Sequence, residues 1–263
     1  MDFGIKNRVA IVTGSSQGIG KAIAESFAKE GVNVVICSRD IEKLKDTAKV
    51  IENNTGANVL PVQADLTKKE DITKLINKTV HQFGKNDILV NNTGGPPSMY
   101  FSETTDTDWR KAVDQLLMSV VNCSYGVIPY MMKQKWGRII NMTSFAAKQP
   151  HEGLILSNSL RAGILGLTKT LSNEFSKDNI LVNAVCPGWT LTDRLEELAK
   201  TKAENVGKDY KTIIKGWSEE IPIGRLAKPQ EIANLVTFLA SEPASYITGC
   251  SIQVDGGYIK SII

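Results

Sequence analysis

The chain has 263 residues, 42% of them hydrophobic and 22% charged, with a formal net charge of +3. This balance excludes a disordered chain, and a charge so small and evenly spread gives no signal for nucleic acid or a membrane surface as partner. No apolar run reaches the length of a membrane span, and MDFGIKNRVAIVTG carries no basic-then-apolar leader, so the cytoplasm is the expected location.

The first expected strand is RVAIVT (8–13). Thr13-Gly14-Ser15-Ser16-Gln17-Gly18-Ile19-Gly20 follows and opens an Ala-rich helix over 18–30. Such a turn needs glycine to bend tightly and to let backbone approach a pyrophosphate, while the helix N-terminus offers free N–H groups to an anion. A glycine trio alone is weak, but the strand before it and the helix after it point to dinucleotide binding. The bland alternative is a tight turn that binds nothing. The second strand, 32–38, ends in Ser38-Arg39-Asp40. An acid at this tip would accept from a ribose 2′-hydroxyl and favour NAD(H), whereas an arginine would pair with a 2′-phosphate. Ser38 and Arg39 favour NADP(H) over NAD(H), and Asp40 reads either way, since it can instead open the next helix.

Further strands are expected at 58–63, 87–92, 137–144, 180–187 and 250–255, with helices at 41–54, 68–83, 103–135, 153–177 and 229–240. This alternation predicts an α/β fold, a doubly wound parallel sheet of seven strands in three αβα layers, spanning 1–263 as one Rossmann-type domain. After the fourth strand, Gly94-Gly95-Pro96-Pro97 makes a stiff loop at the carboxyl edge. It either shapes a pocket, with Met99 and Trp189 as apolar wall, or merely turns the chain. The segment 193–221 breaks the rhythm. It is Lys/Glu-rich with Leu195, Leu198, Ile213, Ile214 and Trp217 as apolar anchors, and reads equally as a helical lid or as a surface excursion. Cys37, Cys123, Cys186 and Cys250 are far apart in sequence, so no metal site is expected. His81 reads as a surface residue.

The TGxxxGxG turn, Asp65 in ADLT, Asn91-Asn92-Thr93-Gly94, Trp109, GRIINMTS ending at Ser144, Pro187-Gly188-Trp189-Thr190-Leu191-Thr192 and the tail PIGRLAKPQEIANLVTFLASEPASYITGCSIQVDGGY belong together. With them the chain resembles the short-chain dehydrogenase/reductase family, especially members similar to 3-oxoacyl-acyl carrier protein reductases. The resemblance implies NAD(P)(H)-dependent hydride transfer between nicotinamide and a carbonyl or alcohol, on a small-molecule substrate, in a homotetramer built through the long fourth and fifth helices and the last strand. It places Asp65 by the adenine, with Leu66 in the same cofactor set. Asn91 and Gly94 fall by the ribose, Thr192 by the nicotinamide amide, and Pro187, Gly188 and Thr190 along the same wall.

The family's working residues are Asn, Ser, Tyr and Lys. In register, the serine is Ser144, but the tyrosine position is Ser157, the lysine position Arg161 and the asparagine position Leu116. A phenol can be tuned toward neutrality by a nearby cation, and a serine hydroxyl cannot. Arg161 stays protonated, yet it can still hold ribose hydroxyls or stabilise an oxyanion. His151 or Glu152, between Ser144 and Ser157, is a candidate proton source, against a loop histidine in solvent or at a subunit contact. Three functions remain open: an oxidoreductase with an atypical site, a non-catalytic dinucleotide-binding sensor or scaffold, and a dehydration or isomerisation with the cofactor absent or structural. The intact glycine turn favours the first two.

Overall fold

In the computed structural model, which describes residues 2–262, seven parallel strands lie in the order β3-β2-β1-β4-β5-β6-β7. They are β1 Val9–Thr13, β2 Asn33–Ser38, β3 Val59–Gln63, β4 Ile88–Asn91, β5 Gly137–Met142, β6 Ile180–Pro187 and β7 Ser251–Val254. The helices that carry the argument are α1 Gly18–Lys29, α2 Ile41–Thr55, α3 Lys69–Phe83, α4 Asp106–Ala112, α5 Ser119–Gln134, α6 Ile155–Phe175, α7 Asp193–Val206, α8 Tyr210–Glu220 and α9 Pro229–Leu239.

The strands read as unbroken apolar runs because side chains alternate between two covered faces. From β1 and β2, Ala10, Val12, Val34 and Ile36 pack with Ile23 and Phe27 of α1, Leu44 and Ile51 of α2, and Ile232 and Val236 of α9. Their neighbours Val9, Ile11, Val35 and Cys37 pack with Leu75 and Ile76 of α3 and with Cys123, Val127 and Met131 of α5. Each such side chain contributes about 1.5–3 kcal/mol of burial. The result is the expected three-layer Rossmann fold. Strand order reverses between β1 and β4, and a crevice opens beyond their carboxyl ends.

One expected element is corrected. The segment 103–135 is not a single helix. A 3₁₀ turn at Phe101–Glu103 precedes α4, and a π-helical turn over Val113–Met118 separates α4 from α5. At its end the Ser119 hydroxyl donates to the Gln115 carbonyl at 2.6 Å. The wide turn buries Leu116 completely and leaves Gln115 to donate to the Gly94 carbonyl at 2.9 Å.

The segment 193–221 is α7 and α8, which pack on each other and close a third apolar cluster. Leu195, Ala199 and Trp217 lie there with Phe145, Trp189 and Tyr258. The Trp189 and Trp217 rings stack with centroids 4.5 Å apart and planes 3° from parallel. Thr192 caps α7 by accepting from the Leu195 N–H at 3.3 Å, and Gly207 ends it in the left-handed region. Among the described residues, no helix is long and apolar enough to cross a membrane.

The stack predicts the weak point of this segment. Trp217→Ala is expected to lower stability by about 3–5 kcal/mol in denaturant unfolding. Limited proteolysis of this variant should cut first within 193–221, and cleavage beginning in β1–β4 would contradict the assignment.

Candidate functional site

The glycine turn is built by sterics. Gly14 has φ +56°, and a Cβ there would sit 2.6 Å from the Asn92 carbonyl oxygen. A Cβ on Gly20 would sit 2.4 Å from the Gly14 carbonyl oxygen, so backbone passes backbone where no side chain fits. Gly18, at φ +58°, faces the Thr192 methyl. Asn92 clamps the turn: its amide donates to the Thr13 carbonyl at 3.1 Å and to the Gly14 carbonyl at 3.0 Å. The Thr13 hydroxyl accepts from the Asn92 N–H at 2.8 Å. The Ser16 carbonyl accepts from Thr47 of α2 at 2.9 Å, and Gln17, at the N-cap of α1, accepts from Lys43. The first turn of α1, with Gly18, Ile19 and Gly20, holds no acidic side chain, so its N–H groups meet no built-in anion. This cradle fits a pyrophosphate.

At the tip of β2 the two readings of Asp40 separate. Its carboxylate caps α2, accepting from the Lys43 N–H at 3.1 Å, and Ser38 donates to the Asp40 carbonyl at 3.0 Å. Arg39 is exposed, and its guanidinium makes no hydrogen bond to a described residue. Asp65 lies within reach of its charge. Burial alone pushes that carboxyl up, but hydrogen bonds from the Thr67 side chain and backbone, with the charges of Lys68 and Arg39, carry it below the usual range. Leu66 packs against the α3 side of the sheet.

Beyond β4 and β5 lies a cavity of about 180 Å³. Ser144, Ser157, Arg161, Pro187, Gly188, Thr190 and Thr192 all line it, so the structure brings these sequence candidates together. Ser144 accepts from the Ala146 N–H at 3.1 Å, which leaves its own proton to donate. Ser157 is buried, and its hydroxyl has no partner among the described residues. Arg161, on α6, is 6% exposed. Its Nη1 donates to the carbonyls of Met142 and Thr143, each at 3.0 Å, which fixes the guanidinium against the end of β5. Nε and Nη2 have no protein partner. Burial pushes the group down to about 10, so it stays protonated at neutral pH. No carboxylate forms an ion pair with it among the described residues. Behind it, the buried Cys186 thiol meets the Thr143 hydroxyl at 3.1 Å, and burial pushes that thiol up.

Other candidates lie elsewhere. His151 does not line the cavity. Its ring packs edge-on against Phe145 at 5.8 Å and Trp189 at 5.2 Å, with the Tyr258 hydroxyl 3.5 Å from Nδ1. Burial and the charge of Lys202 push it down, against Glu220 and Glu152. Glu152 is exposed and accepts from the Tyr100 hydroxyl at 3.0 Å. The Asn91 side chain turns inward, donating to Asn141 at 2.9 Å, and Asn141 donates to Thr168 at 2.9 Å. Gly94 borders the crevice through the Gln115 contact, while Gly95 and Pro96 line the cavity. His81 is exposed on α3.

Sequence reasoning missed Asn92 as the clamp and Arg194 in the cavity wall. Arg194 donates from Nη2 to the Pro96 carbonyl at 2.7 Å, tying α7 to the loop after β4. Only its place two residues beyond Thr192 hinted at this. The site as built can bind a dinucleotide along the β1–α1 turn and hold an electron-rich oxygen against hydroxyls and a fixed cation.

Known proteins share this fold. A family model described as "Enoyl-(Acyl carrier protein) reductase" matches residues 14–259. The 3-oxoacyl-[acyl-carrier-protein] reductase FabG of Aquifex aeolicus is 37% identical over 257 residues, covering 98% of this chain and 99% of the relative. The structure of L-sorbose reductase from Gluconobacter frateurii, complexed with NADPH and L-sorbose, superposes with TM-score 0.95 at 38% identity, covering 100% of each chain. Actinorhodin polyketide ketoreductase (an F189W variant solved with NADPH) gives 0.93 at 30% identity, covering 97% of this chain and 98% of the other. With its fold, its glycine turn and its full-length match to these reductases, the chain belongs to the short-chain dehydrogenase/reductase family of NAD(P)-dependent oxidoreductases.

Proposed function

We propose that the chain is an NADP(H)-dependent reductase of a small carbonyl compound, or of an alkene activated by one, in which fixed donors replace the usual proton-transferring pair. The observation that carries this reading is Arg161, a buried cation with free N–H groups on the cavity wall beside Ser144 and Ser157. When bound, the nicotinamide supplies a hydride. The chain's residues then hold the charge that develops on the acceptor oxygen until water entering the open side of the cavity supplies the proton that completes the product. Ser144 donates its free proton, Ser157 offers an unpartnered hydroxyl, and Arg161 adds a positive charge that its two backbone carbonyls keep from turning away. Donors arranged in advance are worth about 10²–10³ in rate each.

The dinucleotide would lie with its pyrophosphate on Gly14, Ser16, Gln17, Gly18, Ile19 and Gly20, and its nicotinamide half along Pro187, Gly188, Thr190 and Thr192. The ribose would meet Arg161, the Gly94 backbone and the end of β4 at Asn91, and the adenine would meet Asp65 and Leu66. Arg39 favours NADP(H), since Asp40 is taken up in capping α2. The α7–α8 pair serves as a lid. The NADPH complexes of L-sorbose reductase and of actinorhodin polyketide ketoreductase are consistent with this preference. A homotetramer in the cytoplasm fits the family and the exposed Met118, Tyr125 and Met132 along one stretch of helix; gel filtration checks the assembly.

A second reading, dinucleotide binding without turnover, is favoured by one observation. Among the described residues, no side chain lining the cavity titrates near neutrality. NADPH binding by fluorescence, followed by NADPH oxidation on a panel of ketones, aldehydes and enoyl thioesters, separates the two. Binding with no turnover on any of them selects the second.

Three outcomes are expected. Arg39→Ala should raise the Kd for NADPH by about 10–100-fold and leave NADH nearly unchanged, as loss of a charge-assisted contact requires. The rate should be flat from about pH 6 to 9, because serines and arginine do not titrate there, and His151→Ala should keep turnover; a bell-shaped profile lost in His151→Ala would restore His151 as the proton source. Ser157→Tyr with Arg161→Lys should gain ketone reduction and acquire a pH dependence, read by steady-state kinetics.

A further inference from the structure

The cavity wall carries two guanidiniums and, among the described residues, no carboxylate. Arg161 forms one side. Arg194 comes from the first turn of α7 on another. Its Nη2 is fixed by the Pro96 carbonyl at 2.7 Å, and its Nη1 meets Glu197 of its own helix at 3.3 Å, an exposed pair of small worth. Its Nε is buried and has no hydrogen-bond partner among the described residues. A charged N–H removed from water without an acceptor is costly, and an anion arriving there offsets that cost.

The proposed cofactor leaves this donor without a task. Its phosphates are served by the α1 N-terminus and by Arg39, and the reacting oxygen by Arg161 and the two serines. On that reading, on which this inference rests, we infer that the substrate is a small carboxylate: its acid group pairs with Arg194 while its carbonyl or enone oxygen faces Arg161. Phe145, Trp189, Leu195 and Leu198 add apolar lining to the same cavity. The cavity is about 180 Å³, below the roughly 300–1,000 Å³ of pockets that take drug-sized ligands, and the nicotinamide would take part of it, so only a small substrate fits. A planar guanidinium suits a carboxylate in a way a lysine would not.

The test uses the full chain saturated with NADPH and titrates benzoate and acetate calorimetrically, each against its neutral amide. The carboxylates are expected to bind at least about tenfold more tightly than the amides, the scale of a charge-assisted pair. Arg194→Gln should erase that preference while the Kd for NADPH, read by fluorescence, stays within about twofold. Arg194→Lys should retain part of the preference. Equal binding of acid and amide, or no saturable binding of either, overturns the inference. So does a large loss of NADPH affinity in Arg194→Gln, which would assign Arg194 to the cofactor. Failure of the unaltered chain to bind NADPH would strike the dinucleotide reading itself, separately from this one.

Discussion

The Asn92 amide joins the ends of β1 and β4 at the point where the strand order reverses. Its two hydrogen bonds to the Thr13 and Gly14 carbonyls hold the glycine turn at backbone contact distance. The site depends on this clamp for its shape. If the turn relaxed, the α1 N-terminus would no longer face the crevice, and Thr192 would lose its place across from Gly18. Carbonyls at a tight turn have few partners, and an amide side chain from the neighbouring strand satisfies both at once. The crevice is therefore set by chain order and by one side chain together.

Arg161 is the second constraint. Burying a cation without a counter-ion is expensive, and proteins usually pair such a group. Here two backbone carbonyls do part of that work, and the remaining N–H groups make no hydrogen bond to a described residue, which is what the proposed function uses. An ammonium on a flexible stem, as in the usual family site, tunes a neighbouring phenol. A guanidinium beside a serine has nothing to tune, and its contribution is a fixed positive field. The change at 157 and the change at 161 thus make sense as a pair.

Much of this was legible in the sequence. The strands were readable because both faces of the sheet are covered, so Val, Ile and Ala run on without polar interruption. The glycine turn was readable because only glycine satisfies its sterics. The broken helix at 113–118 was not, since one extra residue in a single turn shifts the apolar pattern too little to read. The role of Asp40 was open because capping and ribose binding ask for the same residue at the same place, and only the Lys43 N–H distance separates them. His151 stands near the serines in sequence, yet its ring turns toward the Phe145–Trp189–Tyr258 cluster, a choice made by aromatic packing from distant segments. Arg194 was hidden among the many charges of 193–221, where composition says surface.

The grip of two carbonyls on Arg161 ties its own side chain to what can stand at 157. Lysine at 161 alone would replace a planar fork with a point donor and disturb the bonds to Met142 and Thr143, while tyrosine at 157 alone would meet a cation that cannot shuttle a proton. Positions 157 and 161 are therefore coupled through one guanidinium, and the effects of substituting them should not add.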